Sequence, residues 1–145
     1  MAFDDIAIAD ALAARFVAYG APAGFTLRAA YATPVDGLTV TPAVIIYPAN
    51  DSVSYGAANR QVTADFIARC YIPSQADTER RYRTMLTWRA HLRDAFIGKV
   101  LLGGLASQVS VTATNVGTDT YADNEYIVVE LTIAVTKVEA INAQA

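Results

Sequence analysis

From Ile127 to Val135 apolar side chains occupy every second position: Ile127, Val129, Leu131, Ile133 and Val135 alternate with Val128, Glu130, Thr132, Ala134 and Thr136. A period of two commits this run to an extended strand with one face buried, since a helix would scatter these residues around its axis. A second run repeats the pattern, with Val62, Ala64, Phe66, Ala68, Cys70 and Ile72 on one side and Thr63, Asp65, Arg69 and Tyr71 on the other. Ile67 is its exception. Ala43-Val44-Ile45-Ile46-Tyr47, bounded by Pro42 and Pro48, is continuously apolar and reads as a strand buried on both faces. Val109, Val111 and Ala113 alternate with Ser110, Thr112 and Thr114 and predict a half-exposed strand.

Two segments follow the helical period instead. Ile8, Leu12, Phe16 and Tyr19 recur at spacings of four and three, with Ala9 and Ala13 widening the stripe. Asp4 and Asp5 stand where a helix N-terminus favours acid, and Gly20 and Pro22 end the segment. The second helix opens at Pro73-Ser74, carries Asp77 and Glu79 early, and closes at Gly98. Its apolar face is Met85, Trp88, Leu92 and Phe96, flanked by Tyr82 and Leu86. Arg80, Arg83 and His91 point away from that face, and Arg89 and Arg93 lie along its margin. Residues 25–42 show only weak alternation. The expected fold is α+β: a mixed or antiparallel sheet of about four main strands with two helices packed on it, in the order α-β-β-α-β-β. Length and composition agree. A chain of 145 residues with 54% apolar and 17% charged side chains suits one domain over 1–145 and excludes disorder, with residues 140–145 expected as a flexible tail.

Two polar stretches stand out as binding loops, Asn50 to Asn59 with Asp51 and Tyr55, and Thr118 to Glu125 with Asp119, Tyr121 and Asp123. Charge is polarised along the chain. Residues 73–99 hold Arg80, Arg81, Arg83, Arg89, Arg93 and Lys99 against three acids, whereas the flanking portions are acidic and the whole carries −3. A basic element between acidic ones suits contact between copies, where one face meets its complement.

Catalytic chemistry is hard to assemble. The one histidine, His91, sits on an arginine-rich helix with no nucleophile beside it, and Cys70 falls on the apolar side of its strand. Asp119, Asp123 and Glu125 lack the spacing and glycine of a calcium loop, and Gly103-Gly104 lacks the context of a phosphate loop. No enzyme activity, cofactor or metal site is expected. The start, Met1-Ala2-Phe3-Asp4-Asp5, has acid where a secretory leader has base, and no apolar run reaches membrane-spanning length, so assembly in a cytoplasm without membrane attachment is expected.

The layout, taken with Trp88-Arg-x-x-Leu-Arg93 and the final Glu125-Tyr-Ile-Val-Val-Glu-Leu-Thr-Ile-Ala-Val135, resembles the tail-terminator (tail-completion, minor tail protein) family of long-tailed bacteriophages. The resemblance covers nearly the whole chain, in size, element order and hydrophobic pattern rather than in a signature motif. It implies a structural virion protein at the head-proximal end of the tail. That protein forms a hexameric ring, stops growth of the major tail tube protein, offers a surface to the head-completion or connector complex, and lets DNA pass through its lumen. On this reading the loops carrying Asn50, Asp51 and Tyr55, and Asp119, Tyr121 and Asp123, meet neighbouring rings. Arg80, Arg83, Arg89 and Arg93 meet Asp119, Asp123 and Glu130 of the next subunit; these placements come from charge and loop position. Another head–tail joining or neck protein, a ferredoxin-like small-ligand-binding module and an enzyme are the alternatives.

Overall fold

In a computed structural model, which describes residues 3–98 and 100–140, the two alternating runs become the middle of one sheet. The elements are α1 (Asp5–Tyr19), β1 (Ala29–Tyr31), β2 (Ala43–Tyr55), β3 (Asn59–Pro73), α2 (Thr78–Arg93), β4 (Gln108–Tyr121) and β5 (Asn124–Ala140). They form an α+β domain whose sheet has the order β1-β2-β3-β5-β4. All pairings are antiparallel except the short parallel one between β1 and β2. Five strands therefore stand where about four are expected, because the weakly patterned segment after α1 adds Ala29–Tyr31 to the edge. The second helix links two hairpins, so the order differs from the β-α-β-β-α-β of a ferredoxin-like module.

Both helices lie on one face. Ile8, Leu12 and Phe16 of α1 and Met85, Trp88 and Leu92 of α2 share a core with Val44, Ile46, Phe66, Cys70, Ile127, Leu131 and Ile133 of the sheet. The side chains anticipated for the faces of β3 and β5 are the buried ones, and Ile67 is half-buried on the opposite face. α1 covers β1 and β2 while α2 covers β4 and β5. The helices meet at their C-terminal ends, where Phe16 packs edge-on against Phe96 with ring centroids 5.5 Å apart. Polar contacts close the same joint. Arg15 Nε donates to the Ala95 carbonyl at 2.8 Å, Tyr19 Oη donates to the His91 carbonyl at 2.7 Å, and His91 Nε2 lies 2.9 Å from the Gly20 carbonyl. His91, expected to point away from the apolar face of α2, is directed at the end of α1, and its ring also stacks on Tyr19, centroids 4.4 Å apart.

The helix starts are set by aspartates. Asp4 Oδ1 accepts from the Ala7 N–H at 3.0 Å, and Asp77 Oδ1 accepts from the Arg80 N–H at 3.2 Å, so α2 begins four residues after Ser74. Pro73 instead ends β3, paired with Tyr126.

The opposite sheet face carries a smaller core of Ile45, Tyr71, Tyr126 and Val128, covered by Val35 and Leu38 of the segment between β1 and β2. Tyr121 Oη fastens that segment by donating to the Val35 carbonyl and accepting from the Val35 N–H. Tyrosines suit this position because their rings bury while each hydroxyl finds a partner, as Tyr47 and Tyr71 do with each other at 3.1 Å. The expected flexible tail, residues 140–145, lies outside the described residues beyond Ala140.

Candidate interaction surfaces

α2 presents its charge outward. Arg80, Arg83 and Arg93 are exposed and Arg89 is half-buried. Arg83 pairs with Glu79 one turn earlier at 3.1 Å, but both side chains are about three-quarters exposed, so the pair contributes little. Among the described residues no carboxylate lies within ion-pair distance of Arg80, Arg89 or Arg93. Helical geometry puts Tyr82, Leu86, Arg89 and Arg93, at spacings of four, three and four, in one stripe. His91, on the other margin, faces the end of α1, so this stripe looks away from α1. Tyr82 also lines a cleft with Val116 and Thr118 of β4. Tyr82 and Leu86, expected to flank the buried face, are 55% and 50% exposed.

The two polar stretches are not loops. β2 continues to Tyr55 and β3 starts at Asn59, so Asn50 and Asp51 belong to a hairpin arm with an irregularity between Pro48 and Asp51, and Tyr55 stands at its tip. β4 likewise runs to Tyr121, and only Ala122 and Asp123, both at positive φ, form the turn into β5. The outer half of β2 is exposed on both sides because it has no core to face, whereas Tyr121 and Tyr126 of the β4–β5 arm pack on the opposite face of the sheet. The β3–β5 register pairs Asn59 with Ala140 and Pro73 with Tyr126, which places the two hairpin tips at opposite ends of the sheet. At 3.4 Å per residue they lie roughly 50 Å apart.

The acids expected to receive arginines are partly engaged within the chain. Arg69 on β3 lies 2.8 Å from Asp119 and 3.1 Å from Glu130, the latter a charge contact whose angle is too bent for a hydrogen bond. Arg69 Nη1 also donates to Tyr71 Oη at 3.1 Å. Hydrogen bonding from Arg69, then from the Thr120 N–H, holds the Asp119 carboxyl below its ordinary range. Tyr121 is a fastener of the neighbouring segment, as described above. Asp123 is exposed in its turn and has no cationic partner among the described residues.

The outward side of α1 is a surface that the helical stripe does not predict. Ile6 and Val17 are 77% and 62% exposed and share a side with Asp10, while Asp5, at the first residue of the helix, stands on the rim of the cleft beside it. Between that side and β2 lies a cleft of about 260 Å³ whose walls include Ile6, Ile46, Pro48 and Phe66. The signal was available, since Ile6 and Val17 are large apolar residues that fall off the stripe of Ile8, Leu12 and Phe16. Elsewhere, burial pushes the Cys70 thiol far up, as expected of an inert side chain. No helix among the described residues is long and apolar enough to cross a membrane.

The chain matches no protein-family model and no curated protein.

Proposed function

We propose that this chain is a structural subunit of the tail-terminator kind: it forms a ring of six copies that caps a phage tail tube and joins it to the head-completion complex. The observation that carries this reading is the pair of hairpins at opposite ends of one sheet. A terminator stands between two different neighbours along the tail axis, and a subunit with one projecting arm at each end can present a separate surface to each. Lateral assembly falls to the helices, whose charged outward sides lie over opposite edges of the sheet. Capping is then steric. One arm matches the last tube ring, and the other offers no tube-like surface to a further one. No bond is made or broken, and the lumen would let DNA pass.

Isolated tail tubes mixed with the purified protein test the reading. Rings bound to one end of each tube in electron micrographs, with elongation arrested, are the expected result. Tubes that elongate unchanged and carry no cap would overturn it. A second reading, another joining or neck protein, shares the two-armed geometry. It predicts rings that bind the connector and leave tube growth unaffected.

A further inference from the structure

The two helices lie over opposite lateral edges of the sheet, and their outward sides are complementary. α1 is acidic there, with Asp10 on that side and Asp5 beside it on the lining of the cleft, while its arginine, Arg15, is turned inward onto the Ala95 carbonyl. α2 is basic there, with Arg89 and Arg93. Each side also exposes apolar surface, Ile6 and Val17 on α1 and Tyr82 and Leu86 on α2. A buried neighbour would remove that surface from water. The cleft beside α1 has apolar walls, and its volume of about 260 Å³ falls below the roughly 300–1,000 Å³ of sites for drug-sized ligands. That size suits one large side chain.

We infer that the outward side of α1, with the cleft between it and β2, is the docking surface for the Tyr82–Arg93 stripe of α2 from a second copy of this chain. The contact is heterologous: each copy gives its α2 to one neighbour and its α1 to the other, which generates a closed ring or an open filament. Tyr82 or Leu86 fills the cleft and the arginines meet Asp5 and Asp10. This replaces the acids first expected on the acceptor side, since Asp119 and Glu130 already face Arg69 in their own chain. The inference rests on the self-assembly part of the proposed function and not on what the ring caps.

Charge reversal with cross-rescue tests it. One variant carries Asp5→Lys and Asp10→Lys, and the other Arg89→Glu and Arg93→Glu. Alone, each sets like charges against each other at every contact, and self-association read by mass photometry should fall at least about tenfold. Mixed in equal amounts, the two should alternate and restore assemblies of even copy number. Either variant assembling like the unaltered chain would overturn the inference. So would a mixture that stays monomeric while both variants keep the unaltered circular dichroism. Should a variant unfold, oxidation of a chain carrying Ile6→Cys and Leu86→Cys decides the matter: a ladder of linked copies supports the contact, and no ladder, or an equal one from Ile6→Cys with Tyr55→Cys, overturns it. An unaltered chain that stays monomeric also overturns it. Assembly through this contact without tube capping would sink the terminator reading alone, and tube-capping rings indifferent to charge reversal would sink this contact alone.

Discussion

Arg69 on β3 reaches across β5 to Asp119 on β4, with 2.8 Å between Nη2 and Oδ2, and passes Glu130 on the way. The three residues sit on the sheet face opposite the helices, beside the Tyr71–Tyr121–Tyr126 cluster, so this ion cluster and the tyrosines together tie the β4–β5 arm to the centre of the sheet.

That tie makes stability depend on pH with a defined sign. The folded carboxyl of Asp119 titrates below its ordinary value, chiefly because Arg69 hydrogen-bonds its charged form. A depressed folded pKa gives stability that is fully present above the unfolded value, about 3.9, and is lost as pH falls through the folded one. Asp119→Asn should therefore lower the melting temperature at pH 7, and the difference from the unaltered chain should narrow as the pH of the melts is taken progressively below the unfolded value. An unchanged gap at low pH would show that the substitution acts through packing.

The buried face of the central strands can be weighed directly. Phe66 and Leu131 are 3% and 1% exposed in the shared core of both helices and the sheet. Leu131→Ala should cost about 2–5 kcal/mol and Phe66→Ala about 3–5 kcal/mol in urea unfolding. A shift below about 1 kcal/mol in either would place that side chain outside the core.

Trp88 behaves differently, because its ring is fully buried against Phe25 while its indole N–H has no hydrogen-bond partner among the described residues. An unsatisfied buried donor costs about 1–3 kcal/mol, and Trp88→Phe removes it together with part of the ring. The two effects oppose, so Trp88→Phe should change stability by no more than about 1 kcal/mol, whereas Trp88→Ala should cost about 3–5 kcal/mol. A large loss from the phenylalanine variant would point to a water bridging the N–H.

The turn between β4 and β5 is strained by its residues. Ala122 and Asp123 both hold positive φ, 49° and 69°, between the paired residues Tyr121 and Asn124. A two-residue hairpin turn of this kind favours Asn-Gly. Ala122→Asn with Asp123→Gly should raise stability by about 1 kcal/mol, visible as a higher melting temperature at neutral pH. A lower melting temperature would mean that the present side chains make contacts worth more than the strain.

How much of this was legible in the sequence follows from what each residue faces. The runs 62–72 and 127–135 announce themselves because one side meets a helix-covered core and the other does not, and α1 and α2 show the matching helical period. The β2–β3 arm has the look of a loop in the sequence because Asn50, Asp51 and Ser52 are exposed where no core imposes alternation on an extended strand. β1 owes its place to pairing with β2 rather than to any pattern of its own. The arginines of α2 were visible as charge, but their complement was not. Arg69 and Asp119 are separated by 50 residues and meet only once the order β3-β5-β4 exists. The acidic side of α1 gains meaning only when Arg15 is seen turned toward α2.

The β2–β3 arm offers the sharpest test of how the ends of the molecule are used. Tyr55 is 71% exposed, and Asn50 and Asp51 are exposed beside it. The arm itself is held by backbone pairing, Ser52 with Thr63 and Tyr55 with Arg60, and by β5 along its other side. Asn50→Ala, Asp51→Ala and Tyr55→Ala together should accordingly leave folding nearly untouched, with each change within about 0.5 kcal/mol. Lateral assembly should also survive, since none of these three residues lines the cleft beside α1 or belongs to the facing side of α2. What should fail is recognition along the axis: rings of normal copy number that no longer sit on tube ends, with tubes growing past their usual stopping point. Normal capping by the triple variant would assign no axial role to this arm and move attention to Asp123 and the arm at the other end. Loss of the ring itself would mean that the arm braces a neighbouring subunit rather than the tube.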